Sequence, residues 1–153
     1  MQNNIKIIQN WQQQKQKVVF VTGVFDMLHI EHLRFLQKAK AVGDKLVVGI
    51  ETDSRVKSIK GPDRPINNEA IRLEQLQNVK AVDLAFILPK EFSSQQNWET
   101  LMSDLHPNVY AVSSHSSHQE NKKNICEKFS IDFKIVHEHN PDISTSKLIK
   151  ALC

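Results

Sequence analysis

The sequence predicts an α/β fold built on one doubly wound parallel sheet, and three observations predict it. Five short apolar runs, at residues 18–22, 45–50, 83–88, 108–113 and 133–136, alternate with segments of helical length. The first two runs are continuously rich in Val, Ile and Leu, the pattern of strands covered on both faces. The chain's four glycines, Gly23, Gly43, Gly49 and Gly61, all fall near expected strand or loop boundaries.

The elements follow in order. Residues 1–17 make a leading helix or arm, on which Ile5, Ile8 and Trp11 form one apolar stripe. The strand at 18–22 enters a turn at Thr22 and Gly23. A helix at 30–42 then carries Leu33, Leu36 and Ala39 on its apolar face. Further helices are expected at 68–78, 97–105, 119–129 and 144–152. The stretch that holds Lys60, between the second strand and the helix at 68–78, reads as a loop.

At 153 residues the chain is one domain by length, large enough to bury a core. Its 40% hydrophobic and 24% charged content is ordinary for a soluble globular protein. No apolar run approaches the ~20 residues that span a bilayer, and the first residues lack the apolar core of a signal peptide. A cytoplasmic protein without a membrane partner is expected. The net charge of +3 is scattered, so nucleic acid is not an expected partner either. Lys122 and Lys123, beside Glu120 and Glu127, read as a solvated helix face, and the glutamine-rich segment 12–16 reads the same way. Cys126 and Cys153 fit no metal or redox spacing and are expected as free thiols. His115 and His118, and the run His137, Glu138, His139, lack the ligand spacing of a zinc site, so no metal site is expected.

The richest stretch is VVFVTGVFDMLHIEH, residues 18–32. A buried strand opens through Gly23 into a helix that begins near His29 and His32. A helix N-terminus presents unpaired N–H groups and a positive dipole end, and two imidazoles one turn apart add donors aimed at the same place. Such a site suits a phosphate on which charge builds.

These residues resemble the signature of the cytidylyltransferase-like nucleotidyltransferases, G-x-F-D-x-x-H-x-G-H after the first strand, matched here by Gly23, Phe25, Asp26, His29 and His32. The resemblance continues through Ala39-Lys40, Gly43-Asp44, Asp53, Lys60-Gly61, Arg64-Pro65, Arg72 and Val82-Asp83. It closes at Ile143-Ser144-Thr145-Ser146. It implies a five-stranded sheet of order 3-2-1-4-5, with the loop after the first strand facing residues 114–118 across the crevice. It implies that His29, His32 and Lys60 are catalytic. Thr22, Gly23, Val24, Phe25, Arg72, Ser144, Thr145 and Ser146 would bind the nucleotide, and Asp26, Arg64, Ser114 and His115 are candidates for the acceptor. Two of these have structural alternatives: Arg72 can pair with Glu69 or Glu74 on its own helix, and the 144–146 hydroxyls can cap the helix that follows.

The implied activity is transfer of AMP, or less favourably CMP, from ATP or CTP to a small phosphorylated sugar or polyol, releasing pyrophosphate. Mg²⁺ would arrive on the triphosphate. The Lys60-Gly61 to Arg64-Pro65 run is closer to the heptose-phosphate adenylyltransferase branch than to the glycerol-phosphate cytidylyltransferase branch. Family members often pair, so a homodimer is among the expected states.

One departure stands at the centre: Glu31 occupies the family's glycine position. Directed at the phosphates, its carboxylate would repel them by roughly 3 kcal/mol at ~5 Å and an effective dielectric of about 20, near two orders of magnitude in rate. Directed to solvent, it would merely favour the helix's positive end. The first orientation leaves a second reading open, a weakened nucleotide-binding or sensing protein of the same fold.

Overall fold

The computed structural model describes residues 1–90 and 94–138. The elements are α1 (Gln2–Gln13), β1 (Val18–Gly23), α2 (Ile30–Ala41), β2 (Lys45–Ile50), α3 (Asp53–Lys60), α4 (Glu69–Gln77), β3 (Leu84–Ile87), α5 (Gln95–Leu105), β4 (Val109–Ser113), α6 (Gln119–Lys128) and β5 (Asp132–His137). The strands pair in parallel in the order β3-β2-β1-β4-β5, the order expected. The expected helix at 144–152 lies outside the described residues.

The continuous apolar strands are buried as their composition requires. Val18, Val19, Phe20 and Val21 are all fully buried, and alternate residues face opposite layers. Val18 and Phe20 pack with Ile8 of α1, Leu101, Met102 and Leu105 of α5, and Ile125 and Cys126 of α6. Val19 and Val21 pack with Phe35, Leu36 and Ala39 of α2 and Leu76 of α4. The leading segment is thus a helix whose stripe completes one layer, with Ile5 and Trp11 beside Ile8. Cys126 is a buried free thiol, and that burial raises its pKa to about 11. No helix among the described residues is long and apolar enough to cross a membrane.

One element departs from expectation. The stretch that holds Lys60 is the helix α3, not a loop. Thr52 caps it by accepting from the Arg55 N–H at 3.2 Å, and Gly61 ends it at φ 105°, a left-handed conformation suited to glycine. Only Val56 of α3 is buried, so the sequence carries no apolar stripe to announce the helix.

Candidate active site

The loop between β1 and α2 is tightly determined. Phe25 and Met27 hold left-handed backbone, at φ 52° and 50°, a conformation that persists in such residues where the surroundings enforce it. Asp26, 1% exposed, supplies one restraint by accepting the backbone N–H groups of Ile66 at 2.7 Å and Asn67 at 3.0 Å. Arg72 supplies the other. Its guanidinium, fully buried, donates to the carbonyls of Val24 at 2.9 Å and Asn67 at 3.0 Å and to Asp53 Oδ1 at 2.8 Å. Arg72 is thus engaged in holding the loop, and it is not among the residues that line the cavity at the carboxyl end of the sheet. It braces α4 to the loop and to α3, and its partner is Asp53 rather than Glu69 or Glu74. Gly23 is required for close approach, since a Cβ there would lie 2.8 Å from the Phe25 ring.

Past this loop, His29 is the N-cap of α2 in extended backbone and His32 is the third helical residue. Their rings stack at 3.8 Å between centroids, tilted by 17°. The His29 backbone N–H donates to His32 Nδ1 at 3.2 Å, so the neutral His32 ring carries its hydrogen on Nε2. The Phe25 ring meets the edge of His32 at 5.6 Å. The pair is thereby fixed at the positive end of a 12-residue helix.

Both histidines line a cavity of about 600 Å³ at the carboxyl end of the sheet. Thr22, Gly23, Val24, Phe25, Asp26, Lys60, Arg64 and His115 share its wall, and so do Ser113, Ser116, Ser117 and His118 from the opposite side. Ser114 and Arg72 are not among the lining residues, although Ser113 and His115 on either side of Ser114 are; the Ser114 N–H donates to the His137 carbonyl at 2.9 Å. Ser144, Thr145 and Ser146 lie outside the described residues. Thr22 shares a 2.7 Å hydrogen bond with Tyr110, whose phenol burial pushes well above its ordinary pKa. Lys60, the last residue of α3, keeps solvent access at the rim. Partial desolvation, then the nearby Arg64 charge, lower its pKa, and Asp26 opposes both.

Glu31 lines the same cavity and does not point to solvent. It is 4% exposed and its Oε2 accepts from His137 Nε2 at 2.5 Å, while Arg34 lies 3.5 Å from Oε1. A bulge in β5 makes this contact: the register steps from Val112 opposite Ile135 to Ser113 opposite His137, and the extra residue turns His137 inward. Lys38 Nζ lies 3.1 Å from His137 Nδ1 and can only donate, so the neutral imidazole carries its hydrogen on Nε2, toward Glu31. Arg34 thus sets positive charge beside the carboxylate, and Lys38 sets it beyond the His137 ring.

Among the cavity residues that escape sequence reasoning are Glu51, Arg55, Trp98 and Lys122. Glu51 follows β2 directly, Arg55 lies on α3, Trp98 on α5 and Lys122 on α6. Lys122 corrects the solvated-face reading: it is half-buried, donates to Ser116 Oγ at 2.9 Å and lies 5.3 Å from the centre of the Trp98 ring. Lys123 is exposed as expected.

Known proteins share this fold and much of this sequence. The bifunctional protein HldE of Helicobacter pylori is 33% identical over 147 residues, 96% of this chain and 30% of that protein. The HldE of Wolinella succinogenes is 43% identical over 86 residues, 56% of this chain and 18% of that protein. The chain thus spans a third or less of the length of these curated relatives. The crystal structure of a lipopolysaccharide core biosynthesis protein from Thermoplasma volcanium superposes with a TM-score of 0.66 at 29% identity, over 83% of this chain and 99% of that one. Pantoate-beta-alanine ligase from Francisella tularensis, solved with beta-gamma ATP and beta-alanine, reaches a TM-score of 0.60 over 97% of this chain and 74% of that one. At 18% identity it shares the fold alone. The model of the family described as cytidylyltransferase-like matches residues 20–151. Since that match runs from the first strand through nearly all that follows and does not stop at one motif, this chain belongs to the cytidylyltransferase-like family.

Proposed function

We propose that this chain is a nucleotidyltransferase that moves AMP from ATP, with CTP the less favoured donor, to a small phosphorylated sugar or polyol. The observation that carries the reading is the stacked pair His29 and His32 at the N-terminus of α2, facing a cavity rimmed by Lys60 and Arg64. An oxygen of the acceptor phosphate attacks the α-phosphorus, the bond from that phosphorus to the bridging oxygen of the β-phosphate breaks, and pyrophosphate leaves. Negative charge grows on the α-phosphate and on the leaving oxygens, so the chemistry needs fixed donors and cations more than a base. His29, His32 and the first N–H groups of α2 would meet the α-phosphate. Lys60 and Arg64 would meet the departing phosphates.

Mg²⁺ would enter on the triphosphate, neutralising its oxygens; among the described residues no group of three His, Cys, Asp or Glu side chains could hold a metal. The HldE relatives favour a sugar phosphate as acceptor, and the Lys60 to Pro65 run favours the heptose-phosphate branch and ATP. The sensing alternative rested on Glu31 opposing the phosphates. Glu31 does line the cavity, but its carboxylate is bonded to His137 and flanked by Arg34, which favours the transferase reading over the sensing one. The experiment is pyrophosphate release from ATP and from CTP against heptose 1-phosphate, mannose 1-phosphate and glycerol 3-phosphate. Release with ATP and a sugar 1-phosphate supports the reading; no release with any combination, by protein that binds both ligands, contradicts it.

A further inference from the structure

The reading above uses one lobe of the cavity and leaves the other without a role. That second lobe is built by Glu51, Arg55, Lys122 and Trp98. Glu51 stands at the carboxyl end of β2, tied to the phosphate lobe by its N–H, which donates to the Gly23 carbonyl at 3.0 Å. Its Oε2 is shielded from solvent and has no hydrogen-bond partner among the described residues; Arg55 Nε is in the same condition. Buried polar atoms in native proteins are ordinarily paired, so two such atoms in one cavity wall mark a place where a ligand supplies the partners.

The charges identify the ligand's chemistry. Arg55 from α3, Lys122 from α6 and Arg72 from α4 face Glu51, and burial still dominates them, raising its pKa. Burial likewise lowers the pKa of Lys122, with Glu51 opposing. A triphosphate offers only acceptor oxygens, which a carboxylate repels. A polyol offers hydroxyls that donate to Glu51 and accept from Arg55 and Lys122 at once. A side hollow of about 160 Å³, lined by Arg55, Gln95, Trp98, His118 and Lys122 among others, extends the lobe for a longer carbon chain.

We propose that Glu51, Arg55 and Lys122 form the subsite that binds the sugar hydroxyls of the phosphorylated acceptor, with Glu51 selecting polyols over simpler phosphates. The identity of this ligand as the second substrate rests on the nucleotidyl-transfer reading; the hydroxyl chemistry of the lobe does not.

The test is calorimetric binding of mannose 1-phosphate, of its deoxy analogues and, separately, of a non-hydrolysable ATP analogue. Glu51→Gln keeps shape and removes charge. It should weaken mannose 1-phosphate at least about tenfold, within the range for a hydrogen bond to a charged group, and leave the ATP analogue unchanged. Deoxy analogues should bind the wild type more weakly than mannose 1-phosphate does, and that difference should shrink in the variant whose hydroxyl contact is gone. Arg55→Gln and Lys122→Gln give the same reading should Glu51→Gln fail to fold. Equal loss of the ATP analogue and the sugar phosphate overturns the proposal, assigning the lobe to the nucleotide. A wild type that binds the ATP analogue but no sugar phosphate overturns it too. Sugar-phosphate binding that depends on Glu51, without pyrophosphate release, upholds the subsite and overturns the transfer reading alone.

Discussion

At the residue scale, Glu31 and Lys60 carry consequences their spacing in the sequence does not. A carboxylate at position 31 looks repulsive until His137 is seen, and His137 reaches it only through the bulge in β5, a pairing between residues 106 positions apart. Glu31→Gly should therefore leave ATP affinity without gain and remove one member of a buried pair. That costs about 3 kcal/mol, a fall in melting temperature on the order of 10 °C for a chain of this size. Tighter ATP binding at an unchanged melting temperature would mean that the carboxylate faces the phosphates after all. For Lys60 the sign is set by its lowered pKa: it loses its charge at lower pH than an ordinary lysine, so kcat/KM for ATP should decline early on the alkaline side. Lys60→Arg, which keeps its charge, should move that decline to higher pH. An alkaline limb that does not move in the arginine variant would remove Lys60 from the phosphates.

At the scale of elements, legibility followed burial. β1 and β2 were plain in the sequence because strands covered on both faces must be apolar throughout, and α2 was plain because one stripe of it faces the sheet. Helix α3 was not, because its single buried residue, Val56, leaves no periodicity, and only the Thr52 cap and Gly61 mark its ends. Arg72 shows a role that residue type does not announce: an arginine in a phosphate-binding family reads as a ligand contact, and the fold also uses its planar fork to bind α4, α3 and the β1–α2 loop together. Arg72→Met should accordingly destabilise the protein by about 3 kcal/mol, since Asp53 and two carbonyls lose their donor. Denaturant titration checks this; stability within about 0.5 kcal/mol of wild type, with ATP binding lost, would favour the nucleotide-binding assignment.

At the scale of the whole molecule, the cavity holds charges that the fold does not fully compensate. Glu51 has a raised pKa, so the folded state retains its proton longer than the unfolded chain, and stability falls as pH rises from 4.5 toward the folded value. Lys60 and Lys122 have lowered values, so their cost persists through neutrality and is relieved only as pH rises from those values toward 10.5. Near neutral pH all three weigh against the empty protein, and ligands that pair them should restore the difference. Glu51→Gln should then melt above wild type at neutral pH even as it loses the acceptor; a lower melting temperature would show that Arg55 and Lys122 outweigh desolvation. Bound ATP at about 100 times its Kd should stabilise the fold by roughly 2.7 kcal/mol. The most direct measurement is pyrophosphate release from ATP and a sugar 1-phosphate by wild type, His29→Ala and His32→Ala, with melting temperatures taken alongside. Each variant should fall at least ~10²-fold, the effect of removing one fixed donor from a developing oxyanion, with its melting temperature held; near-wild-type rates in both would contradict the role assigned to the stacked histidines.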